Sequence, residues 1–390
     1  MPELWTGGLL LALAAGVGYF WGRWRSVEPP AAARQDGSSP SYFQGLYHLL
    51  NEQPEQAIEA FLNVARVEPE TVDAHLALGN LFRRRGEVDR ALRIHQNLIA
   101  RPNLARDQRD HAMYQLGLDY QKAGLLDRAR QVFSELVERN RHYTPAVQAL
   151  VEITEQEREW PEALEWRKQL ARIRGHGDPV AESLIHCEMA SEALARNDLS
   201  RAQQAIRRAH AVDAACVRAS ILAGQLHSLK GNDRKAVREW ERIVRQQPQH
   251  LVLVLDDLVA AYHRMGETEA LRKFLSDTLE SAEHPSLFAA LTVHLAREVG
   301  AEEALRYVAE GLARHPNSAE LVSSYVGMWK DLQERGEECR AVLEVVEPYL
   351  ERARARQSRF VCTNCGFKSA YMQWKCPQCR NWGTLELQAA

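Results

Sequence analysis

The chain has no glycine-rich phosphate loop of the G-x-x-x-x-G-K-[ST] kind and no G-x-G-x-x-G after a strand. H-E-x-x-H and G-x-S-x-G are missing as well. Those absences take away the residues that nucleotide-dependent enzymes, zinc proteases and serine hydrolases need. The 14 histidines, His48, His75, His95 and His111 among them, are scattered through helical segments. None is paired with a cysteine or carboxylate at a spacing that specifies catalysis, so each reads as a surface or interhelix residue. Charge of one sign is lacking too: 49 Lys and Arg against 52 Asp and Glu leave a net charge of −3, too little to imply a nucleic-acid partner. The expectation is a protein that is not an enzyme and does not bind nucleic acid. Cysteine is sparse, at 7 in 390 residues, and four fall in one metal pattern, which suits a reducing compartment. Cys187, Cys216 and Cys339 are isolated in helical patterns and read as buried structural thiols.

The four patterned cysteines close the chain in two pairs, Cys362-Thr-Asn-Cys365 and Cys376-Pro-Gln-Cys379, with ten residues between them. Each Cys-x-x-Cys turn aims two sulfurs at one point, and two facing turns make a tetrahedral cage that selects zinc or a single iron. Gly366 and Pro377 supply the turn chemistry such knuckles need; a pair of disulfides is the competing reading. The segment is too short to bury a core of its own. Metal ligation would supply most of its folding energy, about 10–16 kcal/mol for comparable sites.

At the other end, residues 4–22 read LWTGGLLLALAAGVGYFWG, uncharged and with Thr6 as the one polar side chain. As a helix this run spans about 28 Å, close to the hydrocarbon core of a bilayer. Trp5, Tyr19, Trp21 and Trp24 lie near its ends, where amphipathic rings favour the headgroup layer. The run lacks the basic n-region and small-residue cleavage site of a signal peptide, which favours an uncleaved anchor. Arg23 and Arg25 on its C-terminal flank place the rest of the chain in the cytoplasm by the positive-inside rule. Ala14, Gly18 and Gly22, with Gly8, Ala12 and Gly16 beside them, form small-residue stripes of the kind that pair membrane helices. They are equally ordinary anchor composition, so homo-oligomerisation stays open.

A tether rich in Pro, Ala, Ser and Gly follows, up to Pro40. Beyond it alanines recur at Ala57, Ala91, Ala129, Ala163, Ala202, Ala236, Ala270 and Ala304, with gaps of 34, 38, 34, 39, 34, 34 and 34 residues. That period belongs to the tetratricopeptide repeat, a helical hairpin whose second helix needs a small residue where the first crosses it. Gly45, Gly79, Gly117 and Gly224 lie twelve before their alanine, and Phe61, Phe133, Trp240 and Phe274 four after it. Pro69, Pro248 and Pro316 lie twelve after and stop the second helix. His95 and Arg167 stand where the large aromatic is expected. After Pro316 the phase slips, with Gly336 and Ala341 displaced, as in a degenerate ninth hairpin. The helix near residues 347–356 is expected to hold the metal segment through Phe360, Phe367, Trp374 and Trp382.

The expected fold is therefore all-α: a tetratricopeptide-repeat superhelical solenoid with an N-terminal transmembrane helix and a small C-terminal metal-knuckle domain. Its parts are a short periplasmic end (1–3), the membrane helix (4–22), a cytoplasmic linker (23–40), eight to nine repeats (41–356) and the metal domain (357–390). Such a solenoid offers a groove for helices or extended peptides. Asn80, Arg83 and Arg84 are the candidate partner-binding residues of the second repeat; exposed helix polarity explains them as well. Arg352, Arg354, Arg356 and Arg359 are either a solvated helix end or a docking strip for an acidic partner or anionic lipid.

An anchor, a repeat array and a four-cysteine tail in that order resemble the lipopolysaccharide assembly protein B family of Gram-negative bacteria. The most specific stretches are Leu78-Gly-Asn-Leu-Phe-Arg83, Arg85-Gly-Glu-Val-Asp-Arg-Ala91, Cys362-Thr-Asn-Cys-Gly-Phe367 and Trp374-Lys-Cys-Pro-Gln-Cys-Arg-Asn-Trp382. The resemblance implies a single-pass inner-membrane adaptor, its bulk on the cytoplasmic side, that restrains lipopolysaccharide synthesis. It implies two partners, the deacetylase that commits precursors to lipid A and the membrane-bound AAA+ protease that degrades it, and other lipopolysaccharide assembly proteins besides. It also implies a rubredoxin-like tail with Cys362, Cys365, Cys376 and Cys379 as ligands of one iron ion, zinc being the alternative. Two departures weaken an inference of electron transfer: a shorter spacer between knuckles, and Arg380 where rubredoxins usually have glycine. A redox carrier on a membrane scaffold, a zinc-ribbon nucleic-acid binder and a periplasmic protein on the same anchor are the rival readings.

Overall fold

The computed structural model describes residues 40–67, 71–315, 318–332 and 359–388. The apolar run and its flank, the tether, Pro69, Pro316, Gly336, Cys339, Ala341 and the arginines from Arg352 to Arg356 lie outside them. Among the described residues no helix is long and apolar enough to cross a membrane.

Helices pair in sequence order: α1 (Pro40–Leu50) with α2 (Pro54–Val67), α3 (Val72–Arg84) with α4 (Val88–Ile99), and α5 (Arg106–Lys122) with α6 (Leu126–Arg139). Then come α7 (Thr144–Gln156) and α8 (Trp160–Arg174), α9 (Pro179–Ala195) paired with α10 (Leu199–Val212), and α11 (Val217–Leu229) with α12 (Asp233–Gln246). A 3₁₀ turn (Pro248–Leu253) leads to α13 (Leu255–Met265) and α14 (Thr268–Glu280), then α15 (Pro285–Val299) with α16 (Ala301–Arg314), and α17 (Ala319–Leu332). The described chain is thus all-α until a small sheet of β1 (Phe360–Cys362), β2 (Lys368–Ser369) and β3 (Leu385–Leu387), in which β1 lies centrally and antiparallel to both neighbours. Two compact units divide at Ala146 and Val147, inside α7.

One turn geometry recurs between the helices of a hairpin. Glu52, Gly86, Gly124, Arg158, Asn197, Gly231 and Gly266 all have φ between 56° and 83°. The next residue donates its N–H back five positions, as in Glu87 to the Phe82 carbonyl at 2.9 Å and Asn232 to that of His227 at 2.9 Å. This is the Schellman closure of the first helix. Five residues after each left-handed position comes the buried crossing point: Ala57, Ala91, Ala129, Ala163, Ala202, Ala236 and Leu271, all without solvent exposure.

The seventh of these corrects the expected phase. Ala270 is exposed and Leu271 takes the crossing point; Leu275, four further on, is fully buried while Phe274 is only partly so. Gly231 and Gly266 are 35 residues apart rather than 34. A 3₁₀ helix, which the other hairpins lack among the described residues, lies between them and takes up the extra residue. Ala304 returns to the crossing point.

The site four residues beyond each crossing point holds the large side chains Phe61, His95, Phe133 and Trp240, all buried. The glycines twelve before the crossing point exist to admit those rings. A Cβ on Gly45, Gly79, Gly117 or Gly224 would stand 2.8, 2.4, 2.3 or 2.2 Å from the ring of Phe61, His95, Phe133 or Trp240 respectively. Where the large site holds the smaller Ile206 or Val308, the matching position is Ala190 or Thr292. Helix–helix spacing is therefore kept by exchanging volume between two sequence positions.

Gly224→Ala should lower stability by about 1–3 kcal/mol through overpacking against Trp240, seen as a lower urea midpoint with shifted tryptophan emission. Gly231→Ala, whose Cβ meets nothing within 4 Å, should cost only the left-handed strain of about 1 kcal/mol and leave the emission unchanged.

Candidate metal centre and its seat on the repeats

The two knuckles are near-copies. In the first, Cys362 N–H donates to the Phe367 carbonyl (2.8 Å) and Gly366 N–H to that of Cys362 (2.9 Å). In the second, Cys376 N–H donates to Asn381 (2.9 Å) and Arg380 N–H to Cys376 (2.9 Å). Gly366 and Arg380 occupy the matching left-handed position, at φ 73° and 60°. Arginine thus does a glycine's backbone work, at a cost of about 1–2 kcal/mol. A bridge between Lys375 and Trp382 closes the second knuckle from outside.

The four sulfurs lie within 4.8 Å of one another. Across the knuckles, Cys362 and Cys379 Sγ are 3.6 Å apart and Cys365 and Cys376 Sγ 3.7 Å. A tetrahedral ion with bonds of about 2.3 Å requires sulfurs about 3.8 Å apart, so the donor set fits one zinc or iron. Charge makes the same demand. The Thr384 side chain beside Cys362 holds that thiol down to about 6, and the Asn381 backbone N–H lowers Cys379. At Cys365 the Phe367 backbone N–H favours the thiolate, but burial and the three neighbouring sulfurs push it up to about 12. Four thiolates cannot share this space without a cation. A bound ion would supply that charge and lock the two turns together; Cys362, Cys365, Cys376 and Cys379 would hold it.

The knuckles rest on the repeats through a residue that no motif marks. Glu155 of α7 is buried, and its carboxylate accepts from three donors. Lys375 Nζ and Trp382 Nε1 reach Oε2 at 2.5 and 3.0 Å, and Arg167 Nε reaches Oε1 at 2.6 Å. Lys375 and Trp382 bracket Cys376 and Cys379 in sequence. Trp382 meets Trp160 edge-on at 6.3 Å. Trp374 stacks on His250 (6.0 Å) and lies under the Arg218 guanidinium (5.6 Å), which donates to Glu188 at 2.6 Å. Gly383 approaches α9 so closely that a Cβ would stand 2.9 Å from Val180. Phe360 lies in the knuckle core with Cys362, Cys376, Leu385 and Leu387, against which Val252 and Leu253 of the 3₁₀ turn pack. The expected support from residues 347–356 lies outside the described residues; the support described comes from α7, α8, α9, α11 and the 3₁₀ turn, with Glu320 of α17 near Arg359. The one sequence signal for Glu155 was Arg167, a cation at an aromatic site that needs a buried acid.

The other candidate residues are placed as follows. Arg83 is turned inward: it donates to Asp119 Oδ1 (2.8 Å), Gln115 Oε1 (2.7 Å) and the Gln115 carbonyl (3.2 Å), and to Asn80 Oδ1 at 2.9 Å. The other Asp119 oxygen accepts from His95 Nδ1 at 2.5 Å. Arg84 is exposed. Arg359 lies 3.9 Å from Glu320.

Glu155→Gln should loosen the seat by about 1–3 kcal/mol, less than the full cost of a broken buried pair because Lys375 and Arg167 keep some solvent access. The measurement is proteolysis of residues 359–388, which should accelerate with metal content unchanged. Glu152→Gln, which disturbs exposed contacts to Arg380 at 3.9 Å and Gln148 at 3.3 Å, should change nothing measurable. Arg380→Gly should relieve the left-handed strain and slow metal loss to a competing chelator, by up to about 1 kcal/mol.

Comparison with known proteins bears on both parts. Residues 360–386 match the family described as rubredoxin metal binding domain, and residues 43–105, 111–142 and 187–250 match tetratricopeptide repeats. Lipopolysaccharide assembly protein B of Escherichia coli (strain K12) is 32% identical over 378 residues, covering 97% of this chain and 96% of that protein. The protein of that name from Haemophilus influenzae is 29% identical over 386 residues, with the same coverage. A solved Pseudomonas aeruginosa PilF structure is 18% identical and covers 53% of this chain and 90% of that one, but its TM-score of 0.31 adds nothing to the repeat assignment. With both domain types matched and a relative aligned across nearly its whole length, this chain belongs to the lipopolysaccharide assembly protein B family.

Proposed function

We propose that this protein is a non-enzymatic adaptor of the bacterial inner membrane that controls lipopolysaccharide synthesis. In this reading residues 4–22 anchor it and the repeats face the cytoplasm. The repeats bring the deacetylase that commits precursors to lipid A to a membrane-bound AAA+ protease, and other lipopolysaccharide assembly proteins dock on the same scaffold. The observation that carries the reading is full-length kinship with proteins named for lipopolysaccharide assembly, joined to repeats of a kind that binds other proteins. Tethering alone gives such a molecule its effect: two partners held on one scaffold meet at high effective concentration without any new chemistry. The reading assigns one iron to the four cysteines, which metal analysis of protein purified from its own cells decides against zinc.

Removal of residues 1–25 should abolish control of deacetylase levels while leaving helix content and bound metal intact. Affinity purification from native membranes should recover the protease and the deacetylase with the intact chain, and fewer of both with a Cys362→Ser, Cys376→Ser variant. A soluble truncation that still limits the deacetylase fully would overturn the reading.

A further inference from the structure

Two cysteines that look unrelated in the sequence meet beneath the metal module. Cys187 lies on α9, and Cys216 stands at the N-terminal cap of α11, the first helix of the next hairpin. Their sulfurs are 3.8 Å apart, and neither belongs to the metal cage. Cys187 has no exposure at all, whereas Cys216 lines a cavity of about 200 Å³ at the seam between α9, α11 and the knuckles. Arg218, His250, Trp374, Gly383 and Leu385 form other parts of its wall.

We propose that Cys187 and Cys216 are a peroxide-oxidisable dithiol, with Cys216 the attacking sulfur and Cys187 the resolving one. Size selects the oxidant: hydrogen peroxide is little larger than water, whose share of liquid volume is about 30 Å³, and enters a space that excludes a glutathione-sized disulfide. The two sulfurs are also electrostatically unequal. The adjoining Cys187 thiol and the Ala219 backbone N–H at the start of α11 favour the Cys216 thiolate and bring that thiol down to about 7. Cys187 is pushed well above its ordinary range by that same contact and by burial. A thiolate at a helix N-terminus beside a protonated partner is the arrangement in which the first reacts and the second waits.

The steps balance. The Cys216 thiolate attacks one peroxide oxygen; the O–O bond breaks, an S–O bond forms, and hydroxide leaves and is protonated to water. Cys187 then attacks the resulting sulfenic sulfur: the S–O bond breaks, the S–S bond forms, and the departing oxygen takes the Cys187 proton and leaves as a second water. Two thiols supply two electrons and peroxide accepts them. Closing the bond takes the sulfurs from 3.8 Å to about 2.05 Å, which draws the start of α11 toward α9 at the wall facing Trp374.

The test treats the full-length, metal-loaded protein with hydrogen peroxide, alkylates it under denaturing conditions and maps it by mass spectrometry. Expected is parallel loss of the alkylated Cys187 and Cys216 peptides, with a linked pair that a dithiol reductant reverses while metal stays bound. In Cys187→Ser, Cys216 should stop at the sulfenic acid and be captured by a 1,3-dione probe. In Cys216→Ser, Cys187 should remain alkylatable. The proposal is overturned if the metal-binding cysteines oxidise and release metal while Cys187 and Cys216 stay alkylatable. Progress of Cys216 to sulfinic acid without a linked pair would overturn it equally.

Discussion

A carboxylate withdrawn from water persists only where each oxygen finds a donor, and the Glu155 carboxylate finds three. One donor, Arg167, comes from the partner helix of its own hairpin. The other two, Lys375 and Trp382, come from either side of the second cysteine knuckle. The spacing of those two side chains is set by the turn through Cys376 and Cys379, so the same geometry that aims two sulfurs at an ion also presents an ammonium and an indole N–H to the repeats. Apolar contacts around Trp160, Val180 and Val252 add area to the seat. The carboxylate adds orientation, because only one approach of the knuckle satisfies it.

The first unit solves the same problem without a second domain. His95 replaces the aromatic at its large site, and Asp119 pairs with both His95 and Arg83. Where a histidine or an arginine stands in place of the aromatic, at His95 and Arg167, a buried acid pairs with it. In the α3–α5 region that network is closed among helices, with both terminal nitrogens of Arg83 engaged by Asn80, Gln115 and Asp119. At α7 and α8 it is completed by the metal module instead. One substitution pattern in the repeat thus yields an internal brace in one place and a domain joint in another.

Much of this was legible in the chain. A 34-residue recurrence of small residues is a packing requirement, so it survives divergence and marks the hairpins; the Cys-x-x-Cys pairs mark the cage because thiolate geometry leaves little freedom in spacing. The phase error at Ala270 arose because alanine and leucine both tolerate a crossing point, and the extra residue sits in a 3₁₀ turn with no composition signal of its own. Glu52 and Arg158 hid their turns in the same way, since only φ, and not residue type, betrays them. Glu155 was unreadable for a different reason. It lies 220 residues from Lys375, and nothing local distinguishes a glutamate that will be buried from one that faces water.

The ion's contribution follows from shape. Four thiolates fill a tetrahedral shell and leave no position for water or substrate, so zinc and iron would hold the two knuckles in nearly the same relation. What either ion fixes is the strained turn at Arg380 and, through it, the pair of donors that meet Glu155. Metal binding in so small a module is also its folding, which makes the joint conditional: without the cation, thiols that repel as thiolates would spread and the Lys375–Trp382 bridge would lose its register. A buried carboxylate on α7 would then face solvent or an empty seam with only Arg167 to satisfy it. The repeats and the cage are therefore coupled through the donors that one buried glutamate keeps or loses.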